Sequence, residues 1–597
     1  MTASTQKFPR DTAGLPAATA TEVVELGDGD RFALRIAPVT KRIGEATVRM
    51  LAYNGSIPGP TLRVPEGAEV VVEIENEGDL EATVHWHGLR LDNRYDGTHE
   101  TQEVMPIGGR YTARVTFPDP GVYWYHPHIR EDYGQELGLY GNCIVVPADP
   151  DYWPPVHREL ALTLDDVLIE DGQVAAFSPD ETTYAAMGRF GNVLLIAGDP
   201  ELALTACTGE VVRLYLTNTA NTRVFKVALP GARVKLVGGD SGRVEHEQFV
   251  EEVILAPSER VVVDVCLETA GRLVLEHRTP DRTYKLADIT VTGEQATPPL
   301  AEAFSVLRTA PELAAERGRL MPLVDASPDK TLAFQAEMDM GEPDVGEGER
   351  LLYVCPMHSE VTSETADRMK LIAQVGPTGY VCPMHPEVTS ETPDHCPKCG
   401  MKLLPARLVQ SAAAGHHGHG EHSHDEPAEH EQGEHMQHEH TEHDHGDHAA
   451  HAHEGHGHSH ATADGIEWED DMVEVNKLTT PANMRWKLVD RSNDAENHAI
   501  QWRFRVGDRV KIRLVNEMDS DHPMHHPFHI HGAGRFLILA RDGVVEPNLV
   551  WKDTVLVRTG EVVDIVLDVT NVGRWMAHCH IAEHHESGMM FSFDVTA

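Results

Sequence analysis

Residues 576–590 read "MAHCHIAEHHESGMM", a stretch with one cysteine between two histidines, His584 four residues on and Met589 five beyond that. All five side chains are soft or borderline metal ligands. A metal reading needs partner histidines elsewhere, and the chain has them. Of its 38 histidines, 17 crowd into residues 416–460; the remaining 21 form four His-x-His pairs, more than chance spacing supplies. The pairs are His85/His87, His126/His128, His529/His531 and His578/His580, each beside an alternating apolar segment that reads as a strand. Residues two apart on a strand point the same way, about 6.5 Å apart, so each pair can offer two imidazoles to one face. Eight imidazoles are too many for one metal ion and suit a multinuclear cluster.

The same alternation turns Cys579 away from the face that His578 and His580 share. A second site on the opposite face can be completed by His526, His584 and Met589. Two histidines, a thiolate and a weak axial thioether form the ligand set of a blue-copper electron-transfer centre. One Cys-His step would then join that centre to the cluster.

These motifs, "HWHG", "HPH", "HIHG" and "HCH", resemble those of the three-domain multicopper oxidases: laccases, cuprous oxidases of copper efflux and bilirubin oxidases. The resemblance covers about residues 45–345 and 465–597. It implies four copper ions: type 1 held by His526, Cys579, His584 and Met589; type 2 by His85 and His529; and a type 3 pair by His87, His126, His128, His531, His578 and His580. It also implies that electrons enter at the type 1 site, with Cys579 as their conduit, and that O2 is reduced to water at the cluster. Asp96 matches an acid that the family keeps near the cluster for proton delivery. The acid that usually follows the type 1 histidine is replaced by His585, with Glu586 next along as the second proton candidate. Met338, Asp521 and Met524 stand at or beside positions that hold a labile substrate copper in cuprous oxidases, with His522 in place of an acid.

The elements that must position these residues are strands. "SIPGPTLRVPEGAEVVVEIEN", "GEVVRLYLTNTANTRVFKVALPG" and "EVVDIVLDV" alternate in and out between Gly/Pro turns, predicting an all-β chain of sandwiches. By resemblance these are three cupredoxin-like Greek-key domains: residues 1–148, 149–328, and 329–345 with 463–597. The middle one lacks clustered ligands and reads as a spacer. The third begins at "KTLAFQAEMDM" and is expected to resume at "IEWEDDMVEVNK", after an insertion. Residues 346–410 hold two related pieces with a period of 27 residues, "YVCPMHSEVTSE" and "YVCPMHPEVTSE". The second carries Cys382, His385, Cys396 and Cys399 near zinc-ribbon spacing and resembles a small heavy-metal-binding domain; zinc or copper is its expected metal. The first keeps only Cys355 and His358. Residues 411–462 are rich in histidine and acids, cannot bury a core, and are expected to be disordered and to capture metal through neutral imidazole.

A formal charge of −45 over 597 residues argues against nucleic-acid binding and suits cationic partners. No apolar run is long enough to span a bilayer. No secretory leader is visible at the N-terminus, so the chain is expected in the cytoplasm if Met1 is the native start, and exported, as family members commonly are, otherwise. Cys143, Cys207 and Cys266 read as buried small apolar residues. The function expected is oxidation of Cu(I), phenols or aromatic amines at the expense of O2, in copper tolerance, by a chain expected to be monomeric. A laccase specialised for organic phenols and a metal-storage or metal-chaperone protein are the alternatives.

Overall fold

The computed structural model describes residues 8–339, 353–355, 358–363, 379–385, 388–390, 394–405 and 464–597, with backbone only for 353–355, 358–363 and 405. The chain is all-β, built as three sandwiches of two sheets each. In the first, a four-stranded sheet (Ala46–Tyr53, Arg31–Ile43, Glu69–Asn76, Arg110–Thr116) packs on a five-stranded one that ends in Gly121–His126 and His85–His87. The second joins a six-stranded and a five-stranded sheet between Arg158 and Gln295. The third joins a seven-stranded sheet centred on Lys330–Met338 and Arg509–Asn516 to a five-stranded sheet containing Gly573–Cys579 and His526–Ile530. Each sandwich has its own apolar core.

The sandwiches repeat one topology. Arg31–Ile43 pairs parallel with Glu69–Asn76, Arg158–Val167 with Glu210–Asn218, and Lys330–Met338 with Arg509–Asn516. Parallel neighbours cannot be joined by a hairpin, so each pair implies a crossover between the two sheets, as in cupredoxin-like folds. In Glu69–Asn76 the side chains of Val70, Val72 and Ile74 face the core while Val71, Glu73 and Glu75 between and after them face out, which is the alternation the sequence predicts.

The third sandwich, expected to resume at "IEWEDDMVEVNK", takes up its sheet later: the last part of that segment forms the short helix Val473–Asn476, and the sheet resumes at Met484–Asp490, paired antiparallel with Lys330–Met338. The segment lacks alternation, and Asp470 instead accepts the Met472 N–H at 2.9 Å, turning the chain. Cys143 and Cys266 are buried, but Cys207 is only half-buried. The helix Pro311–Leu320, in the connection before the third sandwich, packs Leu313 and Leu320 against Leu537, Leu539 and Val566 of that sandwich. No helix among the described residues is long and apolar enough to cross a membrane.

Candidate metal centres

Strand register brings the paired histidines together. His85 lies opposite His126 on neighbouring strands of the first sandwich, and His529 lies opposite His578 in the third. The two sandwiches present these ends to each other. Where the sequence leaves six rings as one undivided group, the geometry sorts them into two threes: His87, His126 and His580, and His128, His531 and His578. His85 and His529 gather with His87 as a further set. Every one of these rings is buried.

Ring orientation tests whether metal fits. The Nδ1 atoms of His85, His126, His529 and His578 face the carbonyl oxygens of Asp96, Pro127, Asp553 and Cys579 at 2.6, 2.8, 2.9 and 2.9 Å. A carbonyl has no hydrogen to give, so Nδ1 carries the proton and Nε2 is left as a bare lone pair. The Nε2 atoms of His85, His126 and His529 have no hydrogen-bond partner, and neither has Nδ1 of His87, whose Nε2 lies 3.0 Å from Asp553 Oδ1. His531 Nε2 is 3.0 Å from His578 Nε2. Buried lone pairs aimed at one another are each unfavourable by about 1–3 kcal/mol unless a cation lies between them. Burial, with neighbouring rings of like charge, pushes His85, His87, His126 and His578 toward neutrality, His85 to about 3. Neutral imidazole is the ligating form. The pocket fits metal cations.

Carboxylates orient the rings. Asp96, raised well above the usual carboxylate range by burial, sits 2.8 Å from His531 Nδ1. Burial would also raise Asp553, but the Arg260 guanidinium and hydrogen bonds from Arg260, His529 and His87 hold it well below that range. Arg260 comes from the second sandwich and donates to Asp553 at 2.7 Å, so the middle unit contributes to the site's surroundings. No local motif marks Asp553 or Arg260; only the fold brings them here. Glu131 was legible in principle, three residues after His128. Its carboxylate lies 3.3 Å from His128 Nε2 and 3.4 Å from His585 Nδ1, and its N–H donates to Glu586 at 3.0 Å. Burial and nearby Asp132 push Glu586 up to about 7. Among the described residues, Glu586 is thus linked to the cluster through Glu131, which also faces His585 and His128.

On the other face of the same strand, Cys579 Sγ lies 3.5 Å from His526 Nδ1 and 3.7 Å from His584 Nδ1. Such edges suit three ligands sharing one ion at about 2.0–2.3 Å. Met589 is buried in the same apolar cluster; its carbonyl accepts the Cys579 N–H at 3.1 Å and its N–H donates to His584 O at 3.0 Å. Trp486 stacks on His584 at 3.9 Å, a neighbour that sequence alone does not reveal. Met338 and Met524 are buried in the same apolar core cluster as Cys579. Asp521 accepts from the Met338 N–H and from Lys402 Nζ, both at 2.9 Å, and lies 3.2 Å from His395 Nε2.

In the insertion, Cys382, His385, Cys396 and Cys399 converge. Cys382 Sγ is 3.7 Å from both Cys399 Sγ and His385 Nδ1, and Cys396 Sγ is 3.6 Å from that nitrogen. A tetrahedron with metal–sulfur bonds of about 2.3 Å has edges of this length. Cys355 and His358 pair through their backbones in a short hairpin; their side chains, like the whole histidine-rich tract, lie outside the described residues.

Comparisons with known proteins agree with this architecture. Residues 37–150 and 467–597 each match a family described as Multicopper oxidase, and residues 380–406 match a Heavy metal binding domain. The multicopper oxidase MmcO of Mycobacterium tuberculosis is 29% identical over 295 residues, covering 43% of this chain and 56% of its own length. Copper resistance protein A of Pseudomonas syringae pv. tomato is 25% identical over 314 residues, covering 45% of this chain and 50% of its own. The matches thus span about half the length of these curated relatives. The solved multicopper oxidase of Campylobacter jejuni superposes with a TM-score of 0.57 at 17% identity, over 98% of both chains, which shows a shared fold.

Proposed function

We propose that this chain, a member of the multicopper oxidase family with a metal-binding insertion, oxidises Cu(I), phenols or aromatic amines one electron at a time and delivers four electrons to O2. One observation carries the reading: Cys579 belongs to one buried ligand set while its two chain neighbours belong to another. His526, Cys579, His584 and Met589 would hold a type 1 copper, His85 and His529 a type 2, and His87/His126/His580 and His128/His531/His578 the type 3 pair. Copper there supplies the one-electron redox chemistry that links the reductant to dioxygen reduction. The chain's own residues do the rest. The peptide from Cys579 to His578 and His580 is the shortest covalent route between the sets. Carbonyls of Asp96, Pro127, Asp553 and Cys579 fix the ring orientations. Asp96, kept prone to protonation by burial, and Glu586, through Glu131 and His585, would hold protons for the water formed.

Residues 1–148, 149–328 and 329–345 with 463–597 serve as the three domains of this reading, and the histidine-rich 411–462 would gather metal. Copper resistance protein A and the −45 charge support a cationic substrate. The test is oxygen uptake by copper-loaded protein with Cu(I) against a phenol. Uptake with Cu(I) at or below the uncatalysed rate, with phenol turnover, would leave a phenol-specific laccase. No uptake with either would remove the enzyme reading.

A further inference from the structure

The described part of the insertion is seated on the same end of the third sandwich as Cys579. A Cβ on Gly400 would meet Pro523 at 3.1 Å and Met518 at 3.3 Å, so this turn lies directly on the loop that leads into His526. Met384, Met401 and Leu403 share one apolar cluster with Met338, Met524 and Trp486. The polar contacts converge on one residue. Lys402 N–H donates to Asp521 O at 2.6 Å, and Lys402 Nζ donates to Asp521 Oδ2 at 2.9 Å and Met338 O at 2.8 Å. His395 Nε2 faces the other Asp521 oxygen at 3.2 Å. A carboxylate and a carbonyl pointing at one spot make a cation position, and an ammonium from within the chain fills it.

We propose that the Cys/His module is a metal-folded cap over the type 1 face, and that Lys402 occupies a cation position at Asp521 and Met338 O for which a cationic substrate must compete. The substrate clause rests on the function proposed above. A piece this small holds its shape through metal: below about 40 residues a core alone rarely suffices. The three cysteines and His385 supply a closed, tetrahedron-sized set, which is the character of a structural zinc site. Metal in that set would keep Lys402 and Met384 in place. Bulky organic reductants would be shut out of a site whose His526 and His584 are already buried, while a metal ion could enter by displacing the Lys402 ammonium.

The test uses the full, copper-loaded chain with three variants: Lys402→Ala, Lys402→Arg, and Cys396→Ser with Cys399→Ser. Ag(I), a redox-inert stand-in for Cu(I), should bind Lys402→Ala about threefold or more tightly than wild type, the scale of one half-exposed ion pair, with Lys402→Arg close to wild type. The KM for Cu(I) should fall in parallel, and kcat/KM for 2,6-dimethoxyphenol should rise. The double cysteine variant should lose one zinc equivalent, exchange amide hydrogens faster at 394–405 and 518–524, and keep its blue colour. Ag(I) affinity unchanged in Lys402→Ala overturns the competition. Zinc loss without faster exchange overturns the metal-folded cap. The Ag(I), zinc and exchange readings need no turnover, so failure of the oxidase reading would show separately, as a protein that binds these metals but takes up no oxygen.

Discussion

Cys579 is where the two buried ligand sets meet, and its position was readable because strand alternation is a strict geometric rule: neighbours of an outward cysteine must point inward. Replacing it by serine should abolish the blue absorption and oxygen uptake while the eight histidines still bind copper, counted by elemental analysis; a Cys579→Ser protein that stays blue would refute the type 1 assignment. Asp553 and Arg260 show the opposite case. They stand 293 residues apart, neither lies in a patterned motif, and only the meeting of the second and third sandwiches pairs them. Both are buried, with 2% and 0% of their side chains exposed. Arg260→Met would leave the Asp553 carboxylate buried without its cation, a change worth about 3–5 kcal/mol of destabilisation. Urea unfolding should show it, and a midpoint indistinguishable from wild type would mean that Asp553 is neutralised by some other group.

Between residue and domain lies the segment 464–476, where the sequence placed the resumption of the third sandwich and the structure places an irregular strap that leads to it. Ile466 and Trp468 pack with Val224 and Ala256 of the second sandwich, and Arg223 donates to Trp468 O at 3.3 Å, so tertiary contact rather than pattern decides its shape. The strap carries Glu467, whose carboxyl is pushed up to about 8 by burial and by Asp471 and Asp464. The folded protein thus holds this proton more tightly than the unfolded chain does. Its contribution to stability is fully present below the ordinary carboxylate pKa of about 4.3 and is lost as pH rises through about 8. Amide exchange in 464–476 should therefore quicken, beyond the intrinsic rise, between about pH 5 and 8. Glu467→Gln, which needs no proton, should flatten that dependence. Equal pH profiles for the two proteins would show that Glu467 does not govern the strap.

At the scale of the whole molecule, the first and third sandwiches build one cluster from histidines at 85–128 and 529–580. The sequence announced the pieces through four spaced motifs, but the assignment of rings to threes needed the packing of one sandwich on another. The insertion divides in the same way. Cys382 to Cys399 declared a metal site by spacing, whereas its seat on Asp521 depends on contacts across more than a hundred residues. Two deletions separate its parts. Replacing 411–462 by a flexible linker of about ten residues should leave colour, melting temperature and phenol turnover unchanged, because loop-closure entropy changes only by about 0.6 kcal/mol per doubling of length. Only metal capture at scarce copper should slow. Removing 346–462 with the same linker also strips the cap from Met338, Met524 and Trp486. All twelve proposed copper ligands lie outside that stretch, so the protein should stay blue. The newly wetted apolar surface should lower its melting temperature by about 2–4 °C per kcal/mol lost, and kcat/KM for bulky phenols should rise. If the larger deletion loses its colour even in excess copper, the cap is part of the third sandwich's fold and the boundary near residue 346 is misplaced. If it stays blue but phenols gain nothing, access to the type 1 face is limited instead by Trp486, stacked on His584, and by the chain at Ala186, whose carbonyl lies 3.3 Å from His584 Nε2.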